Sequence, residues 1–244
     1  MTEEQQQRQH DSAEGEEEGD GLVFGVSEDL VQSRERSAAH TGSFDFDGLL
    51  QPPLRVHIDL TKGNGGTTWP AGMTLATYLL RRKREALKEL SIVELGAGGG
   101  LVGLAVAMGC RPKHTLHITD QESMLALMRQ NIALNNLEGQ ISASVYNWGE
   151  ATPSAIPKHP DVVLAADCVY FEPAFPLLQQ TLRDLIGPST TCYFCYKRRR
   201  RADQHFMRKV KKDFLVEDVD DDPDRESYAR ENISLCTIRR KREG

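Results

Sequence analysis

Ser91-Ile92-Val93-Glu94-Leu95-Gly96-Ala97-Gly98-Gly99-Gly100-Leu101-Val102-Gly103-Leu104 joins a short apolar run, a glycine loop and the start of a second apolar stretch. It reads as a buried strand turning into a helix. Glycine is the residue for a backbone that bends sharply and approaches a ligand, because it has no Cβ to clash. The default ligand is a nucleotide-like cofactor bound beyond the strand's carboxyl end.

Alternating elements follow on both sides. Phe44–Phe46 and Leu54–Leu60 alternate apolar and polar residues around Gln51-Pro52-Pro53, which predicts two strands joined by a turn. The loop Gly65-Gly66-Thr67-Thr68-Trp69-Pro70-Ala71-Gly72 leads to a helix expected over Met73–Leu87. Strands are then expected at Ile92–Leu95, Thr115–Thr119, Ile141–Tyr146, Val162–Ala166 and Thr191–Tyr196, with helices at Leu101–Met108, Glu122–Asn136 and Ala174–Ile186 between them. A basic helix over Arg199–Lys212, a strand at Phe214–Val219, an Asp/Pro loop and a strand at Ile233–Arg239 close the chain. This order predicts an α/β protein: a mostly parallel sheet with helices on both faces, preceded by an N-terminal β-hairpin.

The 244 residues are 39% hydrophobic, enough for one domain with a real core. No apolar run reaches membrane-spanning length and the first 20 residues lack an apolar stretch, so a cytoplasmic protein without membrane association is expected. Five cysteines fit a reducing compartment. Cys192 and Cys195 belong on opposite faces of one strand, which reads as core rather than a redox or zinc pair, and the histidines show no metal-ligand spacing. No metal is expected.

The net charge of −6 conceals two unlike ends. Residues 1–40 read as an acidic, disordered tail, with Glu3, Glu4, Asp11, Glu14, Glu16, Glu17, Glu18 and Asp20 near its start, and 41–244 as the folded domain. Lys197–Lys212 is basic, yet Phe206, Val210 and Phe214 recur at helical spacing. A solvated helix face is favoured there over a docking surface for an acidic protein or RNA.

Two readings of the glycine loop compete. Gly98–Gly103 satisfies G-x-G-x-x-G, the dinucleotide fingerprint, with Asp120 downstream for a ribose. Glu94-Leu95-Gly96-Ala97-Gly98-Gly99-Gly100 is instead E-x-G-x-G-x-G, and a carboxylate at the strand end repels a pyrophosphate. S-adenosylmethionine has no phosphate and carries an ammonium and a sulfonium, so charge favours it. Asp120 suits the two ribose hydroxyls, and Trp148 after the third core strand suits an adenine face.

With Gly66-Thr67-Thr68-Trp69, Asn147-Trp148-Gly149 and Asp167-Cys168-Val169-Tyr170 added, residues 44–240 resemble the class I, seven-β-strand methyltransferases, and within them the family-16 protein lysine methyltransferases. The resemblance implies a Rossmann-like seven-stranded sheet and S-adenosylmethionine as cofactor. It implies that Trp69, Glu94, Gly96, Ala97, Gly98, Gly100, Asp120, Asn147, Trp148 and Ala166 bind that cofactor, Trp69 near its methionine carboxylate. Asn147 departs from the Asp that many relatives carry. Asp167 and Tyr170 form the family's D-x-x-Y element and are the catalytic candidates.

The implied substrate is a protein, with translation elongation factor 1-alpha suggested by the Leu164–Phe171 and Cys195–Arg200 stretches; an AAA ATPase, a chaperone or RNA are the alternatives, as is a non-catalytic Rossmann-like module. Nucleic acid is disfavoured because the Asn/Asp-Pro-Pro-Tyr/Phe loop of base-amine enzymes is missing. Glu172 stands alone where an arginine methyltransferase needs paired glutamates. A monomer suffices. Lysine's amine lies about 3.4 units above pH 7, so freeing its lone pair costs roughly 4–5 kcal/mol. A carboxylate raises that pKa further, so Asp167 is expected to capture and aim the ammonium, Tyr170 to wall the channel, and water to take the proton.

Overall fold

The computed structural model describes residues 39–62 and 64–241. The acidic tail expected over 1–40 lies outside them except for Ala39 and His40. A two-stranded antiparallel ribbon, β1 (His40–Phe44) with β2 (Leu54–Ile58), precedes a seven-stranded sheet. β1 shares only Phe44 with the strand expected over Phe44–Phe46, because Phe46 and Asp47 both take positive φ, 53° and 57°, which breaks an extended strand.

The main sheet contains β3 (Ile92–Leu95), β4 (Leu116–Asp120), β5 (Ile141–Val145), β6 (Val162–Ala166), β7 (Thr191–Lys197), β8 (Phe214–Asp218) and β9 (Ile233–Arg240). Their order across the sheet is β5-β4-β3-β6-β7-β9-β8, and only β9 runs against the rest. The chain winds outward from β3 to β5, then returns to the other side of β3 with β6. Such a reversal opens a crevice at the carboxyl ends of the strands.

The strands bury both faces. Ile92, Val162, Leu164 and Cys195 join one core with α1 (Pro70–Tyr78), α2 (Leu101–Cys110) and α3 (Glu122–Leu134); Val93, Leu95, Val163 and Cys192 join a second with α4 (Phe175–Leu185) and α5 (Arg201–Asp213). Cys192 and Cys195 thus fall on opposite faces, and all five cysteines are free and buried. The apolar stripe of the basic helix is also real: Phe206, Met207 and Val210 are buried, while Arg208, Lys209, Lys211 and Lys212 face solvent.

Helix boundaries differ where local chemistry intervenes. α1 starts at Pro70 rather than Met73, because proline lacks the N–H that a first turn leaves unused anyway. It then widens into a π-helical segment over Leu79–Lys83. The Asp/Pro loop contains α6 (Arg225–Arg230), whose one buried side chain is Tyr228. Among the described residues, no helix is long and apolar enough to cross a membrane.

Asn131 on α3 and Asn135, which caps its C-terminus, tie the ribbon to this sheet. Asn131 Oδ1 accepts the His57 N–H at 2.7 Å, and its Nδ2 donates to the Gly99 carbonyl at 2.8 Å. Asn135 Oδ1 accepts the Arg55 N–H at 2.9 Å and its Nδ2 donates to the Arg55 carbonyl at 2.7 Å. The edge of β2 is thereby satisfied by side chains, and Asn131 fixes the glycine loop at the same time.

Candidate active site at the strand ends

A cavity of about 810 Å³ opens at the carboxyl ends of β3, β4, β5 and β6. That volume lies within the range of about 300–1,000 Å³ usual for small-molecule sites. Trp69, Glu94, Gly96, Ala97, Gly98, Asp120, Asn147, Trp148, Ala166, Asp167 and Tyr170 all line it. Gly100 is absent from the wall. Its φ of +88° makes the turn into α2, and an added Cβ would stand 2.9 Å from Ile118 Cδ1, so it shapes the loop rather than the surface.

The loop is held from three sides. The Gly98 N–H donates to Asp120 Oδ2 at 2.7 Å, and Asp120 Oδ1 accepts the Gln121 N–H at 2.7 Å. Each Asp120 oxygen keeps further lone-pair capacity for a hydroxyl. Gly98 has a φ of +55°, and a Cβ there would lie 2.6 Å from the Gly65 carbonyl oxygen. Only glycine lets the two loops meet. At Gly96, φ +60°, a Cβ would fall 3.0 Å from Trp148 Cζ2 and 2.9 Å from Cys168 Sγ, so the indole packs directly on the loop.

Glu94 acts differently from the sequence-based expectation. It is buried, its Oε2 accepts the Gly103 N–H in the first turn of α2 at 2.8 Å, and burial pushes its carboxyl up to about 8. It is therefore largely neutral at pH 7 and braces loop against helix; repulsion of a pyrophosphate by a bare anion is not its role. Desolvation raises Asp120 too, against the lowering effect of its two backbone hydrogen bonds. The Asn147 amide is turned to Glu150, donating to both carboxylate oxygens at 3.2 Å.

At the mouth, Trp69 is 38% exposed, Tyr170 47% and Phe171 57%. Asp167 is buried in an unusual backbone conformation, φ +55°, with its N–H donated to the Cys195 carbonyl at 2.8 Å. Its carboxylate meets a partner that sequence reasoning missed. Arg199 Nη1 donates to Oδ1 at 2.8 Å and Nη2 to Oδ2 at 2.7 Å, while the guanidinium carbon lies 5.6 Å from the Trp69 ring. Capture of an ammonium by Asp167 must therefore share the carboxylate with Arg199. Burial, then the charges of Asp120, Cys168 and Asp167, push the Tyr170 phenol upward, so it stays protonated at neutral pH and is no base. Gly65, Thr67, Thr68, Gly99 and Met124 also line the cavity. Thr67 and Thr68 stood in the quoted motif; nothing local marks Met124.

The wall suits S-adenosylmethionine. Among its described residues the basic side chains are His57, Arg199 and Arg200, and both arginines are already engaged: Arg199 by Asp167, Arg200 by Asp203 and the Tyr170 carbonyl. Among the described residues of the wall no arginine is left free to balance a pyrophosphate, while Asp120 offers acceptors and the glycine loop open backbone. Among the described residues no cluster of His, Cys, Asp and Glu is arranged to hold a metal ion.

Comparison with known proteins agrees with this geometry. Residues 49–213 match the model of a family described as lysine methyltransferase. Protein-lysine N-methyltransferase EFM6 of Saccharomyces cerevisiae is 35% identical, covering 90% of this chain and 99% of its own. EEF1A lysine methyltransferase 3 of Mus musculus is 33% identical over 66% of this chain and 69% of its own. Among solved structures, the Thermus thermophilus 16S rRNA N2 G1207 methyltransferase RsmC, in complex with AdoMet and guanosine, shares the fold with a TM-score of 0.55 at 13% identity, covering 83% of this chain and 50% of that one. The chain belongs to the lysine methyltransferase family and is an S-adenosylmethionine-dependent protein-lysine N-methyltransferase.

Proposed function

We propose that the acceptor is a lysine of translation elongation factor 1-alpha, and that Asp167 and Tyr170 face its amine while the glycine loop, Asp120, Trp148 and Trp69 hold the cofactor. The observation that carries the site assignment is the gathering of all these residues around one cavity. The substrate rests on the mouse relative named for EEF1A and on the extent of the match to EFM6. A cytoplasmic monomer is the form in which the enzyme acts, with 41–244 as the catalytic domain and 1–40 as an appended tail.

S-adenosylmethionine, when bound, would supply a methyl group on a sulfonium, which passes to an amine with S-adenosylhomocysteine as the leaving thioether. The chain's part is positioning and exclusion of water. Gly96, Ala97 and Gly98 would present backbone to the methionine end, Asp120 would accept from the ribose hydroxyls, and Trp148 would offer its indole to the adenine. Asp167 aims the acceptor nitrogen, and the half-exposed Tyr170 walls its path. Tyr170 keeps its own proton, so water in the open mouth takes the one that the lysine must lose.

The test is methyl transfer from labelled cofactor to purified elongation factor 1-alpha, an AAA ATPase, a chaperone and ribosomal RNA in parallel. Label on lysine of the elongation factor alone is expected. Labelling of one of the other proteins in its place overturns the substrate, and labelling of RNA overturns the acceptor class.

A further inference from the structure

We propose that Arg199 is a positioning residue of the methyl transfer: it fixes the aim of Asp167 and balances its charge, so that the acceptor lysine meets a neutral ion pair rather than a bare carboxylate. This inference rests on the reading of the cavity as the lysine site.

The geometry is that of a fork on a fork. Both carboxylate oxygens of Asp167 are bonded, at 2.8 and 2.7 Å, by two nitrogens of one planar guanidinium. Such bidentate pairs fix orientation as well as charge. Arg199 is itself fixed. Its backbone N–H and that of Arg200 both donate to Asp203 Oδ2 at 2.9 Å, and Asp203 is fully buried in the first turn of α5. The guanidinium lies over Trp69, and its side chain is 31% exposed where that of Asp167 is 5% exposed. Arg199 thus covers the carboxylate on the cavity's outer side and ties β6, β7 and α5 together at the mouth.

The consequence concerns the nucleophile. A bare carboxylate beside an ammonium raises its pKa by about 1–3 units, the wrong direction for an amine that must lose a proton. A guanidinium on the same carboxylate cancels most of that pull. A carboxylate has about four lone-pair sites, so the two taken by Arg199 and the long contact of the Lys197 N–H to Oδ1, at 3.5 Å, still leave acceptor capacity with which to aim the amine. Asp167 can then orient without over-stabilising the protonated form. The other titratable or charged groups around the pair are Cys168 and Tyr170 on the turn after β6, Cys195 on β7, Arg200 and Asp203 at the start of α5, and Asp120 and Glu94 at the ends of β4 and β3. They are common to every variant below, so a shift between variants reports the pair.

The experiment measures the pH dependence of kcat and KM with the full-length protein, saturating S-adenosylmethionine and a titration of elongation factor 1-alpha at each pH, for wild type, R199M, R199K and R199M/D167N. The kcat profile reports groups in the bound complex. R199M is expected to move the acid limb up by 1–3 units, lowering kcat at pH 7.5 at least tenfold without raising KM. R199K keeps the charge but loses the fork, so its limb stays within about half a unit while kcat falls severalfold. In R199M/D167N both charges are gone, and the limb returns toward wild type. Unchanged cofactor affinity by calorimetry shows that each variant is folded. An unmoved limb in R199M, or a raised KM at constant kcat, overturns the role of Arg199 alone. A wild type that methylates no lysine overturns the reading of the cavity, and the inference falls with it.

Discussion

Gly103→Ala is expected to destabilise the protein although it places alanine in a helix. Helix propensity alone makes glycine to alanine favourable by roughly 0.5–1 kcal/mol. At Gly103, however, the new Cβ would stand 2.4 Å from Ile118 Cγ2, 2.6 Å from Glu94 Oε2 and 3.1 Å from Leu116 Cδ2. Ile118 and Leu116 are fully buried on β4, so neither gives way freely. Overpacking of this kind costs about 1–3 kcal/mol. Displacing the Glu94 carboxyl from the Gly103 N–H leaves buried polar groups short of a partner, worth about 1–3 kcal/mol more. The net is a loss of about 1–5 kcal/mol, centred near 3, or roughly 6–12 °C in Tm for a domain of this size. Gly72→Ala is the control. Its Cβ would meet Leu101 Cδ2 at 3.4 Å and Val102 Cγ2 at 3.8 Å, ordinary contacts, so stability should rise by about 0.5–1 kcal/mol. Urea unfolding of both variants decides the matter. If Gly103→Ala matches wild type or gains stability alongside Gly72→Ala, the brace between Glu94 and α2 is not what the structure indicates.

Three further expectations test other parts of the molecule. Glu94 has a folded-state carboxyl raised from 4.5 to about 8. The folded state therefore holds this proton more tightly: its contribution to stability is complete below about pH 4.5 and is lost as pH rises to about 8, at up to about 1.4 kcal/mol per unit. Glu94→Gln should flatten that decline in denaturation curves taken from pH 5.5 to 8.5, and parallel profiles would contradict it. Gly98→Ala combines a φ of +55° with a Cβ 2.6 Å from the Gly65 carbonyl oxygen, so cofactor affinity by calorimetry should drop at least tenfold; undiminished binding would remove this loop from the site. Phe206 is buried with ring centroids 5.0 Å from Phe175 and 6.3 Å from Phe194, so Phe206→Ala should cost about 3–5 kcal/mol in urea unfolding. A loss below about 1 kcal/mol would mean that α5 is not anchored through this face.

The strands were the most legible part of the chain. Ile92–Leu95 and Val162–Ala166 lie where the apolar runs place them, because these strands, covered on both faces, are apolar apart from Glu94, and glycine or aspartate ends each run. α6 was hidden because Arg225–Arg230 buries only Tyr228 and has no apolar period. The π-helical segment at Leu79–Lys83 has no compositional sign. Most residues of the cavity wall named from sequence do line it, since acidic, glycine and aromatic residues stood at successive strand ends. What sequence could not convey was which side chains consume one another. Glu94 is spent on the Gly103 N–H, Asn147 on Glu150, and Asp167 on an arginine brought beside it by the packing of β7 on β6. Arg199 sat within the quoted Cys195–Arg200 stretch, yet one arginine in a basic run carries no mark of its partner.

Mass spectrometry of elongation factor 1-alpha, from cells with and without the gene for this protein, tests the proposed function most directly. Methylation of one lysine should vanish when the gene is removed and return with the wild-type protein. A lysine methylation profile that is the same in both cells would contradict the assignment of this substrate.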